Sequence, residues 1–151
     1  MTHVETEIDL AAPPERVWPA LWELERVVRC LPGCRDARTV VAHERYATVA
    51  VQRLGPFNME IPLEIEVLEF EPMRRLKAQA SGREPQTGSA LHVVFELRLS
   101  AASAGSRLAI TSDTEVRGTM GALAQRLIEQ KAGGAMTQFA EALRRELKAA
   151  S

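Results

Sequence analysis

Two cysteines lie four residues apart in the segment Cys30-Leu31-Pro32-Gly33-Cys34, and the chain of 151 residues has no others. Two thiols at this spacing could supply half of a zinc site, but no third cysteine exists and His43 is the only nearby imidazole. The spacing also differs from the Cys-X-X-Cys of thioredoxin-like sites. We interpret the segment as a Pro-Gly turn that ends a helix and buries two small thiols, and we predict no metal site; a redox pair stays open as the alternative.

The three histidines are candidate general bases. His92 lies in a segment whose alternate residues are apolar, which predicts that His92, Glu96 and Arg98 point away from the core. His43 falls in a predicted turn, and His3 stands at the start of a predicted strand. We therefore expect surface roles for all three imidazoles.

Paired carboxylates could also do acid-base chemistry. Glu60, Glu64 and Glu66 share one face of a predicted strand with Asn58, which indicates a solvated sheet surface. A catalytic carboxyl needs a dry pocket that moves its pKa, and this placement does not supply one. Since phosphate-binding, nucleophile-elbow and zinc-protease motifs are also missing from the sequence, we predict no catalytic residues, no cofactor, and no His or carboxylate facing the interior.

Composition limits the classes of function. Hydrophobic residues make up 46% of the chain and charged residues 26%, which is typical of a globular domain, and the length predicts one domain over residues 1–151. Nineteen basic residues against 20 acidic ones give a net charge of -1, and aromatic residues are only 5%. Such a chain has neither the positive electrostatic field that attracts nucleic acid nor enough aromatic side chains to stack on its bases, so no nucleic-acid partner is expected.

No targeting or membrane-spanning segment is predicted. The first seven residues lack a basic region followed by an apolar run, and no apolar stretch approaches the roughly 18 to 20 residues that would span a bilayer. We expect a cytoplasmic protein.

The amino-terminal third predicts one strand followed by two short helices. Val4 to Leu10 alternates apolar and acidic residues, as a strand with one dry face does. Prolines 13 and 14 then favour a helix start, and Pro19 should kink or shorten that helix. A second helix is predicted from Leu24 to Cys30, stopped by Pro32-Gly33.

The middle of the chain predicts six strands in an antiparallel meander. From Arg35 onward the apolar residues alternate for about eighty residues, interrupted by short turn segments such as Gly55-Pro56. Pro62 cannot donate a ladder hydrogen bond, so its strand should be at an edge or bulged there.

After Gly118 the apolar period becomes 3.6 and predicts one long helix from Thr119 to Lys148, including Met120. Gly133-Gly134 could break it, but the apolar spacing continues, so we predict a continuous helix with one of these glycines facing the sheet to make room. The predicted fold is α+β: a curved antiparallel seven-stranded sheet wrapped around a long carboxyl-terminal helix, with two short helices after the first strand.

Such an arrangement predicts an apolar cavity between sheet and helix. The predicted cavity residues are Val17, Leu21, Phe57, Met59, Ile61, Leu63, Val93, Phe95, Leu97, Ile110, Gly133, Gly134, Met136 and Phe139.

Four motifs along the whole chain carry a family resemblance. They are Ala12-Pro13-Pro14-Glu15-Arg16-Val17-Trp18 with Leu21, the cysteine-proline-glycine segment 30–34, the Gly55-Pro56 turn, and Gly118, Gly121 and Arg126-Leu127-Ile128. Together they resemble the START/polyketide-cyclase-like (SRPBCC) superfamily of helix-grip proteins and, within it, the CoxG family of carbon monoxide dehydrogenase subunits.

The resemblance implies a cytoplasmic accessory protein for carbon-monoxide-dehydrogenase-like molybdenum hydroxylases, linked to their maturation or membrane recruitment and to binding a lipophilic molecule such as a quinone. Relatives often have Ala where Pro19 stands, and many carry a carboxyl-terminal extension that reaches a membrane, so direct membrane association is not expected for a chain ending at Ser151. A monomer and a homodimer both fit.

The leading hypothesis is therefore a binding module for a hydrophobic small molecule, with a molybdenum hydroxylase as its partner. Two alternatives stay open. One is a polyketide cyclase or hydratase-type enzyme that uses the same cavity, and the other is a protein-interaction scaffold anchored by Trp18 and Trp22.

Overall fold

A computed structural model describes residues 1–54, 57–118 and 121–150, without the side chains of residues 52, 54, 57, 149 and 150. The predicted Gly55-Pro56 turn, the predicted helix start at Thr119 and the apolar position Met120 lie outside the described residues. The elements, in chain order, are β1 Thr2–Leu10, α1 Pro14–Trp22, α2 Leu24–Arg29, β2 Cys34–Val41, β3 Arg45–Leu54, β4 Phe57–Glu71, β5 Arg75–Arg83, β6 Ala90–Ala102, β7 Gly105–Arg117 and α3 Gly121–Ala150.

The strands form one seven-stranded sheet in the order β1-β7-β6-β5-β4-β3-β2, and every neighbouring pair is antiparallel. The pairings set apolar residues side by side on the inner face of the sheet, as in Leu97 opposite Ile110 and Ile8 opposite Leu108. The predicted α+β helix-grip fold, with its single strand, two short helices, six strands and long helix, is confirmed.

Pro62 lies where β4 becomes an edge. It is paired with Val49 of β3, but the pairing of β4 with β5 ends at Leu63 opposite Gly82. Since β5 is not paired with β4 at this position, the missing N–H of Pro62 removes no hydrogen bond to β5, as the sequence predicted for an edge position. The bulge of β4 occurs further on, between Val67 and Glu69.

The two short helices follow from proline placement. Pro13 caps α1 and Pro14 occupies its first turn, while Pro19 lies inside a helix that ends at Trp22. After α2, Gly33 has φ +73°, a conformation that favours glycine, and this turn leads the chain directly into β2.

Helix α3 runs without a break through Gly133 and Gly134, as predicted. The prediction that one of these glycines faces the sheet is wrong, because both are exposed and a Cβ on either would meet nothing within 4 Å. At about 100° per residue, Gly134 and Gly133 lie roughly 100° and 200° around the helix from Ala135, which faces the interior.

The two halves of α3 pack differently. In the carboxyl-terminal half, Met136, Phe139, Leu143 and Leu147 are buried in the core, and Glu146 accepts a 2.7 Å hydrogen bond from Arg26 of α2. In the amino-terminal half, Leu127 and Ile128 are only partly buried, and Leu123 is exposed. The amino-terminal half of α3 therefore lies above an open space, whereas the carboxyl-terminal half packs directly on the core.

Candidate functional site

A cavity of about 270 Å³ lies between the amino-terminal half of α3 and the inner face of the sheet. The backbone of α3 comes close to the sheet mainly at β1 and β7. The helix therefore lies further from the strands that follow β7 in the sheet order, beginning with β6. Inner-face residues of β6 such as Leu91, Val93 and Phe95 consequently keep accessible surface although they face the helix.

The cavity wall is mostly aliphatic and aromatic. Its described lining comprises Leu31, Pro32, Cys34, Ala50, Met59, Ile61, Leu63, Ala80, Glu84, Ser89, Ala90, Leu91, Val93, Phe95, Ile110, Ser112, Thr114, Val116, Ala124, Leu127, Ile128, Lys131, Ala132, Ala135, Met136 and Phe139. The alanines at 50, 80 and 135 create much of the space, since larger side chains there would fill it.

Most of the residues predicted from the sequence meet at this wall. Eight of them line it, namely Met59, Ile61, Leu63, Val93, Phe95, Ile110, Met136 and Phe139. Leu97 lines a smaller neighbouring space instead, and Val17 and Leu21 are packed in the core at 2% and 1% exposure. Gly133 and Gly134 lie on the outer side of α3, and the side chain of Phe57 is outside the described residues.

Glu84 is a wall residue that the sequence did not reveal, and it corrects the expectation that no carboxylate faces the interior. It is 1% exposed and begins the loop between β5 and β6. The backbone amides of Gln86 and Thr87 and the Thr87 hydroxyl donate hydrogen bonds to its oxygens. Burial alone would raise the pKa of Glu84, but these bonds outweigh it and hold the pKa below its ordinary value. The carboxylate is therefore ionised and committed to its own loop.

Ser89 ends the same loop, and three further polar wall residues lie on β7 and α3. Ser112 and Thr114 continue the inward alternation of β7 beyond Ile110, and Lys131 comes four residues after Leu127 and four before Ala135 on one stripe of α3. The same periodicities that predicted the apolar wall could have identified these three residues.

The histidines are placed as predicted, away from the cavity. His92 lies on the outer face of the sheet, where its Nε2 is 3.1 Å from Gln79 Oε1. Glu96 and Arg98 pair with each other at 2.5 Å on that same face. His3 pairs with Asp113 at 2.7 Å on the exposed surface.

The two cysteines are free, half-buried thiols. Burial raises the pKa of both Cys30 and Cys34. Because the thiolate is the reactive form, this environment disfavours nucleophilic and redox chemistry at either sulfur. Cys34 lines the cavity, whereas the Cys30 thiol donates a hydrogen bond to the Arg26 carbonyl at 3.3 Å.

Gln125 fastens the amino-terminal end of α3 to the sheet. Strand β1 pairs with β7 only as far as Thr114, and the side-chain amide of Gln125 continues the ladder beyond that point. It accepts a 3.0 Å bond from the Val116 amide and donates to the Thr114 carbonyl at 3.2 Å and the Thr2 hydroxyl at 2.6 Å. Among the described residues, Gln125 thus ties the first turns of α3 to β1 and β7 with three hydrogen bonds.

Residues 1–54, 57–118 and 121–150 form neither a metal-ion cluster nor a membrane-spanning helix. No group of three or more His, Cys, Asp or Glu side chains there is arranged to hold a metal ion. None of the helices in those ranges combines the length and hydropathy needed to cross a bilayer.

A curved antiparallel sheet closed over a long carboxyl-terminal helix, with an apolar space between them, defines the helix-grip class of proteins. The model of the CoxG family of carbon monoxide dehydrogenase subunits matches residues 7–148, and the chain belongs to this family. Comparison with curated proteins gives no significant match.

Solved structures share the fold at low sequence identity. A conserved protein from Geobacillus kaustophilus has a TM-score of 0.77 at 19% identity, over 97% of this chain and 95% of that chain. A protein from Thermus thermophilus has a TM-score of 0.67 at 18% identity, over 99% of both chains. The structure of Ara h 8.0201 has a TM-score of 0.60 at 13% identity, over 98% of both chains. These similarities extend the helix-grip assignment over nearly the whole chain.

Proposed function

We propose that this protein binds a mostly apolar small molecule in the cavity between α3 and the sheet. The observation that carries the proposal is the character of the wall, which is apolar except for a few polar groups. Interior space of this kind stays open to an apolar ligand because water gains few hydrogen bonds there.

The role that fits this site is accessory rather than catalytic. Glu84 is the wall group best suited to acid-base work, yet its oxygens are engaged by its own loop and its pKa is lowered rather than raised towards neutrality. The histidines that a cyclase or hydratase could use lie on other surfaces. These placements favour binding over the enzyme alternative.

Family membership supports a partner enzyme of the carbon-monoxide-dehydrogenase type, that is, a molybdenum hydroxylase in the cytoplasm. In this proposal the protein holds a lipophilic molecule, of which a quinone is one example, and exchanges it with the partner.

The proposal is tested by organic extraction and mass spectrometry of the purified protein, followed by calorimetric titration with decanoic acid and with a short-chain quinone. We expect retained or added apolar ligand to bind at one site per chain. If the extract contains no ligand and neither compound binds, the proposal is wrong.

A matched pair of variants locates the binding. Ala135→Leu projects a larger side chain into the cavity, whereas Gly134→Leu places the same side chain on the outer surface of α3. We expect the first to weaken decanoic acid binding at least tenfold and the second to leave it unchanged. Equal affinity of both variants and the parent would place any binding elsewhere.

A further inference from the structure

A second, smaller apolar space of about 40 Å³ lies beside the cavity, beneath α2. Its described lining is Leu24, Val27, Val28, Leu31, Tyr46, Ile65, Leu76, Ala78, Phe95, Leu97 and Phe139. The one polar group in this set, the Tyr46 hydroxyl, accepts a 2.8 Å hydrogen bond from the His43 amide. The space is therefore suited only to hydrocarbon.

Three side chains from different elements border both spaces. Leu31 comes from the turn after α2, Phe95 from β6 and Phe139 from α3. They form a partition between the larger cavity and the smaller space, and we refer to them as the partition. Phe139 is buried, whereas Phe95 keeps accessible surface.

Two of the polar wall groups, Lys131 and Ser89, lie at a distance from this partition, whereas Ser112 of β7 is paired with Phe95. Lys131 precedes Phe139 by eight residues on α3, a separation of about 12 Å along the helix axis. Ala90, next to the polar Ser89 and at the start of β6, precedes Phe95 by five residues, or about 16 Å along the strand. The cavity thus has Lys131 and Ser89 away from the partition, and the neutral Ser112 is the polar residue opposite Phe95.

We propose that the ligand is an amphiphile with an unbranched aliphatic tail, that its polar head lies near Lys131 and Ser89, and that Phe95 and Phe139 set the longest tail that fits. This inference rests on the proposed function. A staggered chain of C–C bonds near 1.5 Å advances about 1.25 Å per bond, so 12 Å accommodates about ten carbons. Longer tails would have to displace the partition and enter the smaller space.

The test is a series of saturated straight-chain carboxylic acids of eight to sixteen carbons, each measured below its micelle concentration by displacement of a fluorescent apolar probe. For the parent protein we expect affinity to rise about fourfold per methylene, the value for full burial of that group, and to stop rising near ten to twelve carbons. In Phe139→Leu and in Phe95→Leu the rise should continue for at least two more carbons.

Phe70→Leu is the matched control, because Phe70 is 49% exposed and lies outside both linings. It should keep the parent profile. Phe95→Leu, at the less buried ring, also serves if Phe139→Leu does not fold, and circular dichroism checks each variant.

The outcomes separate the two claims. If the parent binds none of the acids but retains an extractable apolar ligand or binds the short-chain quinone, this inference fails alone; if it binds nothing, the proposed function fails with it. If the parent binds but its affinity rises through sixteen carbons, or stops at the same length in the folded partition variants, the inference alone is overturned.

Discussion

Replacing Gln125 tests how α3 is held over the cavity. The Gln125→Ala variant loses the bond from the Val116 amide and the two bonds to the Thr114 carbonyl and the Thr2 hydroxyl. Each such bond contributes about 0.5–1.5 kcal/mol net, and the site is partly solvated, so we expect the free energy of unfolding to fall by about 2 kcal/mol. For a domain of this size the melting temperature should fall by roughly 4–8 °C.

Hydrogen exchange gives the local readout. Amides in the first two turns of α3 should exchange faster in Gln125→Ala. Amides around the buried Leu143 should exchange faster only by the factor that the lower global free energy of unfolding accounts for. Gln130→Ala, at an exposed position of the same helix, is the control and should shift stability by less than about 0.5 kcal/mol. Unchanged melting and exchange in Gln125→Ala would refute the assignment of this side chain as the fastening of the helix.

Three further predictions concern single side chains. Gly134→Ala should stabilise the protein by about 0.5–1 kcal/mol in thermal unfolding, because the position is an exposed helix interior with free space for a Cβ; a loss of stability would contradict this geometry. Glu84 has a lowered pKa in the folded state, so its contribution to the free energy of unfolding is present above the ordinary pKa of 4.5 and is lost as pH falls through the folded pKa. The difference in melting temperature between the parent and Glu84→Gln should therefore be largest near pH 7 and shrink below pH 4.5. A difference that does not change with pH would contradict this. Bound decanoic acid should slow maleimide labelling of the cavity thiol Cys34 more than that of Cys30, measured by peptide mass spectrometry, and equal protection would argue against a ligand in the cavity.

The fold could be predicted because each element leaves a strong periodic signal. Alternation over Val4 to Leu10 and through the six later strands identified one dry face, and the change of period after Gly118 identified α3. Short turns between strands leave an antiparallel meander as the simplest topology. The pairing of β1 with β7, which places β1 at one edge of the sheet, was not predicted, because a contact between strands about 100 residues apart leaves no local signal.

The cavity was harder to predict than the core, because both use apolar residues with the same spacing. Val17 and Leu21 show how an apolar helix position can be core when α1 packs directly on the structure beneath it. Gly133 and Gly134 show a second kind of error. A missing side chain makes room in a cavity only where the residue faces that cavity, and the direction in which a helical residue faces turns by about 100° from one residue to the next.

Glu84 escaped prediction for a different reason. Its inward placement depends on a loop that folds back to donate hydrogen bonds, and a single sequence gives no periodic signal for such a loop. Lys131, in contrast, follows the stripe of Leu127 and Ala135, so strict helical periodicity would have included it.

Binding of an apolar molecule between α3 and the sheet would change the surroundings of the side chains that line the cavity. Methyl-labelled protein titrated with decanoic acid and followed by NMR tests it most directly, because the described side chains assign a methyl reporter to each region. We expect saturable shifts at the cavity methyl groups of Met59, Ile110 and Met136, with little change at Val17, Leu21 and Leu143 in the core. Shifts confined to the exposed residues Val40, Leu68 and Met73, or no shifts at saturating decanoic acid, would contradict it.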